Sequence, residues 1–154
     1  MDFTGSDRLG EISEIIRLAM APAFLLVAMG GLLQLFASRL SRVVDRERVL
    51  AKAFHETEGE DHQRVVIELR TLDRRAGIVN VSIFFGVMSA VVVGLLIATL
   101  FLMGLLRVDL SGVIAGGFIL AMLFLIAGLL CFVIEVRLAW RVIHVEEQLL
   151  ELEG

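Results

Sequence analysis

Three stretches of the chain, Leu18–Ser38, Ala76–Leu106 and Leu110–Ile134, carry no charged residue, and the polar residues gather at their ends. A helix rises ~1.5 Å per residue, so roughly 20 residues cross a hydrocarbon layer ~30 Å thick. Each stretch is long enough. The second exceeds the need, so its ends protrude or it tilts. None alternates in the way a membrane barrel strand requires. The pattern predicts an all-α membrane protein with three transmembrane helices, at about 15–38, 76–106 and 110–136.

Helical stripes continue beyond these limits. Ile12, Ile15, Ile16 and Ala19 fall on one face, with Glu11, Glu14 and Arg17 on the other, as expected of a helix entering an interface. Pro22, one turn into the first run, lacks a backbone donor and crowds the preceding turn, which predicts a kink or a widened turn. After Ser38, the residues Leu40, Val43, Val44, Leu50 and Phe54 keep an apolar stripe among charges. The acidic segment His55–Asp61, with Gly59, reads as a turn. Val65, Leu69, Leu72 and Ala76 then restart a stripe at coiled-coil-like spacing. Residues 39–75 are therefore a predicted helical hairpin that extends the first two spans. Arg107–Asp109 reads as a tight turn. Trp140, Ile143, Leu149 and Leu150 among acids predict a continued third helix. No linker or internal repeat interrupts the chain, so 1–154 reads as a single three-span domain.

Within the second run, Ser82, Gly86, Ala90, Gly94 and Ala98 recur every four positions. Helices in lipid gain little by hiding apolar surface from one another, so close approach at small residues is what lets them pack. Each four-residue step turns a straight helix about 400°, so this ladder drifts ~40° per step and roughly 160° in all. Such a stripe suits contact with two different partners.

Composition agrees with a solvent other than water: 58% of residues are hydrophobic, against ~45–50% in soluble domains. The net charge of −4 hides an asymmetry. Of the 14 Lys and Arg, all but Arg8, Arg17 and Arg107 lie within 39–75 or follow the third run. The positive-inside rule then places 39–75 and the C-terminus in the cytoplasm, with the N-terminus outside. The acidic lead-in and the length of the first run argue against a cleaved signal peptide. Cys131 cannot form an internal disulfide and reads as a buried small hydrophobe.

Arg39, Arg42, Arg74, Arg75, Glu135 and Arg137 stand where the three runs end on one side, and so belong at one depth. Glu135 is the acid at that level on the third helix and is expected to pair with Arg39 or Arg75. Independent snorkelling into headgroups is the alternative.

Candidate chemistry is sparse. No HExxH, GxSxG, Walker loop or CxxC occurs, and Ser89 in the second run has no accompanying His. His55, Glu56, Glu58, Glu60, Asp61 and His62 match no EF-hand spacing and read as a solvated turn. On the first helix, Gln34, Ser38, Ser41, Asp45, Arg48 and Lys52 form one seam, which extends the other way through Gly31, Val27, Phe24 and Met20. The plain reading is that the seam faces headgroups and water, with Gln34 bonded to a neighbouring helix. The alternative is a small homo-oligomeric ion channel lined by this face, a hydrophobic constriction opening into a polar vestibule. The runs hold no ionisable residue of the kind that pumps and proton relays carry. The expectation is a non-enzymatic protein that acts through helix association, as an assembly or accessory subunit. Its expected partners are membrane lipid and copies of itself or a larger membrane complex. No cofactor, metal, nucleic acid or small-molecule substrate is expected.

Ala21-Pro22-Ala23-Phe24-Leu25-Leu26 opens the first span, and Arg39-Leu40-Ser41-Arg42-Val43-Val44-Asp45-Arg46 follows it with Arg48 and Leu50. Glu68-Leu69 and Leu72-Asp73-Arg74-Arg75-Ala76 precede the second span, and Glu135-Val136 close the third. Together these resemble the bacterial family of small integral membrane proteins catalogued as domain of unknown function 2721, from about Ile12 to about Trp140. The resemblance implies a bacterial inner-membrane protein with three spans and no assigned activity, and it carries over no catalytic residue.

Overall fold

A computed structural model describes the backbone of residues 3–54, 59–106 and 108–150, and the surroundings of residues 10, 12–54, 59, 62–106 and 108–138. It consists of α1 (Phe3–Phe54), α2 (Glu60–Leu106) and α3 (Ser111–Leu150), with no strand among the described residues. Each helix is long and apolar enough to cross a membrane, the architecture of a multi-pass membrane protein.

α1 continues through Pro22, which costs it a donor but does not end it. Leu40 to Phe54 stay helical beyond the uncharged run, as their stripe predicts. Gly59, at φ 70°, begins the return; this left-handed backbone is strained for any residue with a Cβ. Its carbonyl accepts the Gln63 N–H at 3.4 Å, which seats the first turn of α2. Asp109 seats α3: its Oδ1 accepts the Ser111 N–H at 3.0 Å, an Asx turn, while the Leu110 carbonyl accepts the Ile114 N–H at 3.0 Å.

The inward faces follow one rule. On α1, Ala19, Pro22, Met29, Phe36, Val43 and Leu50 are buried, with Leu26, Leu33, Leu40, Glu47 and Phe54 half-buried between them. On α2 the buried set is Leu72, Val79, Ser82, Gly86, Ser89, Val93, Leu96 and Leu100. On α3, Ala121, Gly128 and Glu135 are buried, with Gly117, Phe124, Cys131 and Leu138 half-buried among them. Steps of three and four alternate in all three helices, an average of ~3.5 that keeps a seam facing its partners, as in coiled coils.

Contacts divide the chain into two units, each built from pieces of all three helices. One comprises Met1–Leu33 with Phe85–Ile126, the other Gln34–Phe84 with Ala127–Gly154. In the first, Met29, Val93 and Ala121 form the core, with Leu25, Leu26, Ile97 and Leu125 packed around them. Phe85 and Phe124 lie 6.1 Å apart there, centroid to centroid. In the second, Val43, Leu50 and Leu72 form the core with Val65, Leu69 and Ala76. Phe36 and Phe132 pack at 4.6 Å. The Val43–Leu50–Leu72 core lies outside the uncharged runs. Water is the competing solvent there, so each buried Leu or Val contributes about 1.5–3 kcal/mol. In the first unit that drive is weak, and close packing and hydrogen bonds carry the association.

Candidate functional site

Residues at the polar ends of the uncharged runs converge on one cavity of the second unit. Arg39, Arg42, Val43, Arg46, Leu72, Arg75 and Glu135 enclose about 230 Å³. The helical register explains the convergence. Arg39, Arg42 and Arg46 flank the inward Val43 on α1, Arg75 stands one turn from the inward Leu72 on α2, and Glu135 continues the inward line Ala121, Gly128 on α3. The three elements thus bring four arginines and one glutamate to the wall of a common space.

Two ion pairs fix its walls. Arg75 Nη2 donates to Glu135 Oε1 at 2.9 Å, with the two side chains 19% and 1% exposed. Arg46 donates from Nε and Nη2 to Glu68 Oε1, at 3.1 and 2.9 Å. The first pair is only half satisfied: Arg75 Nε and Glu135 Oε2 are buried without a hydrogen-bond partner. Arg39 is half-buried, Arg42 is exposed, and neither meets a carboxylate among the described residues. Of the six residues expected at this level, Arg39, Arg42, Arg75 and Glu135 come together around the cavity. Arg74 and Arg137 are exposed and stand apart from it.

The small-residue ladder of α2 divides as its drift requires. Ser82 and Gly86 are buried, Ala90 and Gly94 half-buried and Ala98 exposed, because a four-residue step leaves the 3–4 seam. The Ser82 hydroxyl donates to the Ile78 carbonyl of its own helix at 3.0 Å. A Cβ at Gly94 would meet nothing within 4 Å. Two glycines outside the ladder make close approaches: a Cβ at Gly104 would run into Ile15, and one at Gly117 would lie 2.6 Å from Leu96 Cδ2.

The polar seam of α1 is exposed throughout, at Gln34, Ser38, Ser41, Asp45, Arg48 and Lys52, and so is its extension through Gly31, Val27, Phe24 and Met20. The Ser38 hydroxyl donates to the Leu35 carbonyl at 3.0 Å, and Ser41 donates to Asp45 at 3.4 Å. The plain reading gave Gln34 a bond to a neighbouring helix; no residue of this chain among those described supplies it.

Ser89 does what the sequence did not signal. Wholly buried, its hydroxyl donates to the Ala121 carbonyl of α3 at 2.6 Å, beside Met29 Sδ at 4.0 Å. The Arg46–Glu68 pair was also missed as a pair, although both residues stand on facing stripes of the predicted hairpin. In the acidic turn, residues 55–58 lie outside the described residues, and His62 packs on Phe54 with ring centroids 4.4 Å apart. No cluster of potential metal ligands occurs among the described residues. Before α3, the Asp109 carboxyl is held below the ordinary aspartate range, first by the Ser111 N–H and second by the Ser111 side chain. Cys131 is a free thiol, half-buried.

What the arrangement offers is therefore a basic cavity, an exposed polar seam and a hydrogen-bonded helix contact. No curated protein and no solved structure matches the chain. A family model described as "Protein of unknown function (DUF2721)" matches residues 19–145, most of the three-helix chain and all of the cavity's lining, and the protein belongs to that family.

Proposed function

We propose that this is a non-enzymatic membrane protein that works through helix association, as an assembly or accessory subunit binding copies of itself or a larger membrane complex. Gln34 carries the reading. It lies within the uncharged part of α1, exposed, and its amide has no hydrogen-bond partner among the described residues. An unpaired amide in hydrocarbon costs several kcal/mol, an outlay that a second helix offering its own polar group removes. The neighbours on that face are small or open: Gly30 and Gly31 have no atom within 4 Å of a Cβ position, and Ala37 and Ser38 are exposed. Another backbone can approach closely there. A second copy is the simplest partner, since it brings the same glutamine to the same depth. The reading places the protein in a bacterial inner membrane, N-terminus outside, with 39–75 and the C-terminus in the cytoplasm.

The test is crosslinking in native membranes through a cysteine at Gly31, in a Cys131→Ala background. The expected product is a dimer or a defined higher oligomer, and Gln34→Leu should weaken association about three- to tenfold. A chain that stays monomeric in mild detergent and gives no crosslink at any position of this face would sink the proposal. The channel reading has its own observation, the exposure of the whole seam from Met20 to Asp45. It requires a ring of at least four chains and ion flux from purified protein in liposomes.

A further inference from the structure

We propose that the cavity lined by Arg39, Arg42, Arg46, Arg75 and Glu135 is a binding site for a phosphate group. The charges around it do not balance. Glu135 takes one guanidinium and Glu68 a second, which leaves Arg39 and Arg42, on α1 in the lining of a space of about 230 Å³, without a carboxylate among the described residues. The two guanidinium groups left over repel each other beside that space, and an anion between them relieves the repulsion. Guanidinium forks fit the oxygens of a tetrahedral phosphate, two donors to a group, better than ammonium groups would. The space holds several waters, room enough for one such anion with part of its ester.

The buried pair supports the assignment. Arg75 is held from one side by Glu135 Oε1, while its Nε and the second carboxylate oxygen are buried and unbonded. A structural ion pair this well enclosed ordinarily satisfies its remaining donors and acceptors. Left half satisfied beside two unpaired arginines, it has the form of a preset anchor. Glu135 fixes the Arg75 side chain and leaves its remaining N–H groups for another acceptor.

Placement narrows the source. Arg39 directly follows the first uncharged run, Arg75 directly precedes the second and Glu135 directly follows the third. The cavity therefore sits at the polar limit of all three apolar stretches, the depth at which bilayer phosphates lie. Basic pockets between spanning helices at that depth take anionic headgroups. A lipid headgroup and free phosphate present the same chemistry, and the two are separable.

The experiment uses the full chain, delipidated in an uncharged maltoside detergent in chloride buffer. Melting is followed on adding phosphatidylglycerol, diacylglycerol, inorganic phosphate, or chloride at matched ionic strength. Phosphatidylglycerol should raise Tm by at least ~2 °C, with no rise from diacylglycerol, which has the same tails and no phosphate. The variant Arg39→Gln/Arg42→Gln breaks neither ion pair and should need at least about tenfold more phosphatidylglycerol for the same rise, corresponding to one factor of ten in Kd. Arg42→Gln alone serves if the double variant folds poorly. Arg137→Gln, which stands away from the cavity, should respond as the parent does. A rise with inorganic phosphate equal to that with phosphatidylglycerol identifies free phosphate as the ligand, and a rise confined to the lipid identifies a headgroup. If phosphatidylglycerol acts no differently from diacylglycerol and phosphate no differently from chloride, or if the arginine variants keep the parental response, the site is not a phosphate site.

Discussion

The Ser89 hydroxyl donates to the backbone carbonyl of Ala121 at 2.6 Å, where both residues are wholly buried, and so ties α2 to α3 in the uncharged part of the chain. The neighbouring Ser82 bonds within its own helix, to Ile78. Two serines seven residues apart on one buried seam thus differ in what they hold together. Ser82 satisfies itself; Ser89 spends its proton on a partner helix.

Removing that bond should be measurable but modest. Ser89→Ala keeps the seam small and leaves the Ala121 carbonyl in α3 with its helical donor. Interhelical hydrogen bonds in membranes contribute about 0.6 kcal/mol on average and up to ~2. A loss of roughly 1 kcal/mol, read by melting in detergent, is expected for Ser89→Ala, and no loss for Ser82→Ala. Equal losses at the two positions would mean that packing volume, not the bond, is what Ser89 supplies.

The Arg75–Glu135 pair should matter more. Glu135→Gln keeps the shape and removes the charge, leaving Arg75 uncompensated next to Arg39 and Arg42. Breaking a buried pair from one side costs about 3–5 kcal/mol, and less where one partner reaches water, as Arg75 partly does. A loss of about 2–3 kcal/mol is expected for Glu135→Gln, and a smaller loss when Arg75→Gln accompanies it, since no lone charge then remains. Melting of the two singles and the double checks this; strict additivity would show that the two groups act independently.

The three long helices, and the continuation of α1 from Leu40 to Phe54, were legible because uncharged runs and apolar stripes follow from solvent and helix geometry alone. So was the pairing level of Glu135, since few acids stand at that depth. The inward face of α2 was not read in full. A ladder of small residues at every fourth position catches the eye, yet only alternating steps of three and four hold one face. Leu72, Val79, Gly86, Val93 and Leu100 at every seventh position were the cue. The Ser89–Ala121 bond had no signal at all, because its acceptor is a backbone carbonyl that any residue would present. The basic cavity needed three helices in register before its arginines could be seen to share a space.

Gly94 and Gly117 should respond oppositely to enlargement. Gly117→Leu drives a side chain into Leu96, and overpacking of this kind costs about 1–3 kcal/mol. Gly94 has open space where a Cβ would stand, so Gly94→Leu should cost the isolated chain clearly less stability than Gly117→Leu does. If that face of α2 meets another chain, the same change lowers the oligomer fraction on crosslinking while Val92→Leu does not. A Gly94→Leu chain that melts as early as Gly117→Leu would contradict the open geometry.

The start of α3 should report its own titration. Asp109 has a folded-state pKa below its ordinary value, because its ionised form accepts hydrogen bonds from Ser111. A depressed carboxyl contributes stability above the unfolded value, and that contribution is lost as pH falls through the folded one. The Ser111 amide resonance should therefore shift only below the ordinary aspartate range of about 3.9. Asp109→Asn keeps the turn without the charge, and its Ser111 resonance should not titrate there. A Ser111 midpoint at or above the ordinary value would remove the bond from the account.

Topology is the remaining prediction, and the structure decides where its probes belong. From the partition of Lys and Arg, residues 39–75 are expected on the cytoplasmic side and residues 107–109 outside. Gly59, directly before α2, is a convenient labelling position, but at φ 70° a cysteine there is strained by about 1–2 kcal/mol. Gln63 is exposed and helical one turn later, and Val108 is exposed just before α3, so cysteines at these two positions leave the backbone unstrained. With Cys131 replaced by Ala, an impermeant thiol reagent applied to intact cells should label a cysteine at Val108 and spare one at Gln63, and lysed cells should label both. Labelling of the Gln63 position from outside would invert the orientation. It would also move the arginine cavity to the outer leaflet, where the positive-inside rule gives no reason for so many guanidinium groups to gather.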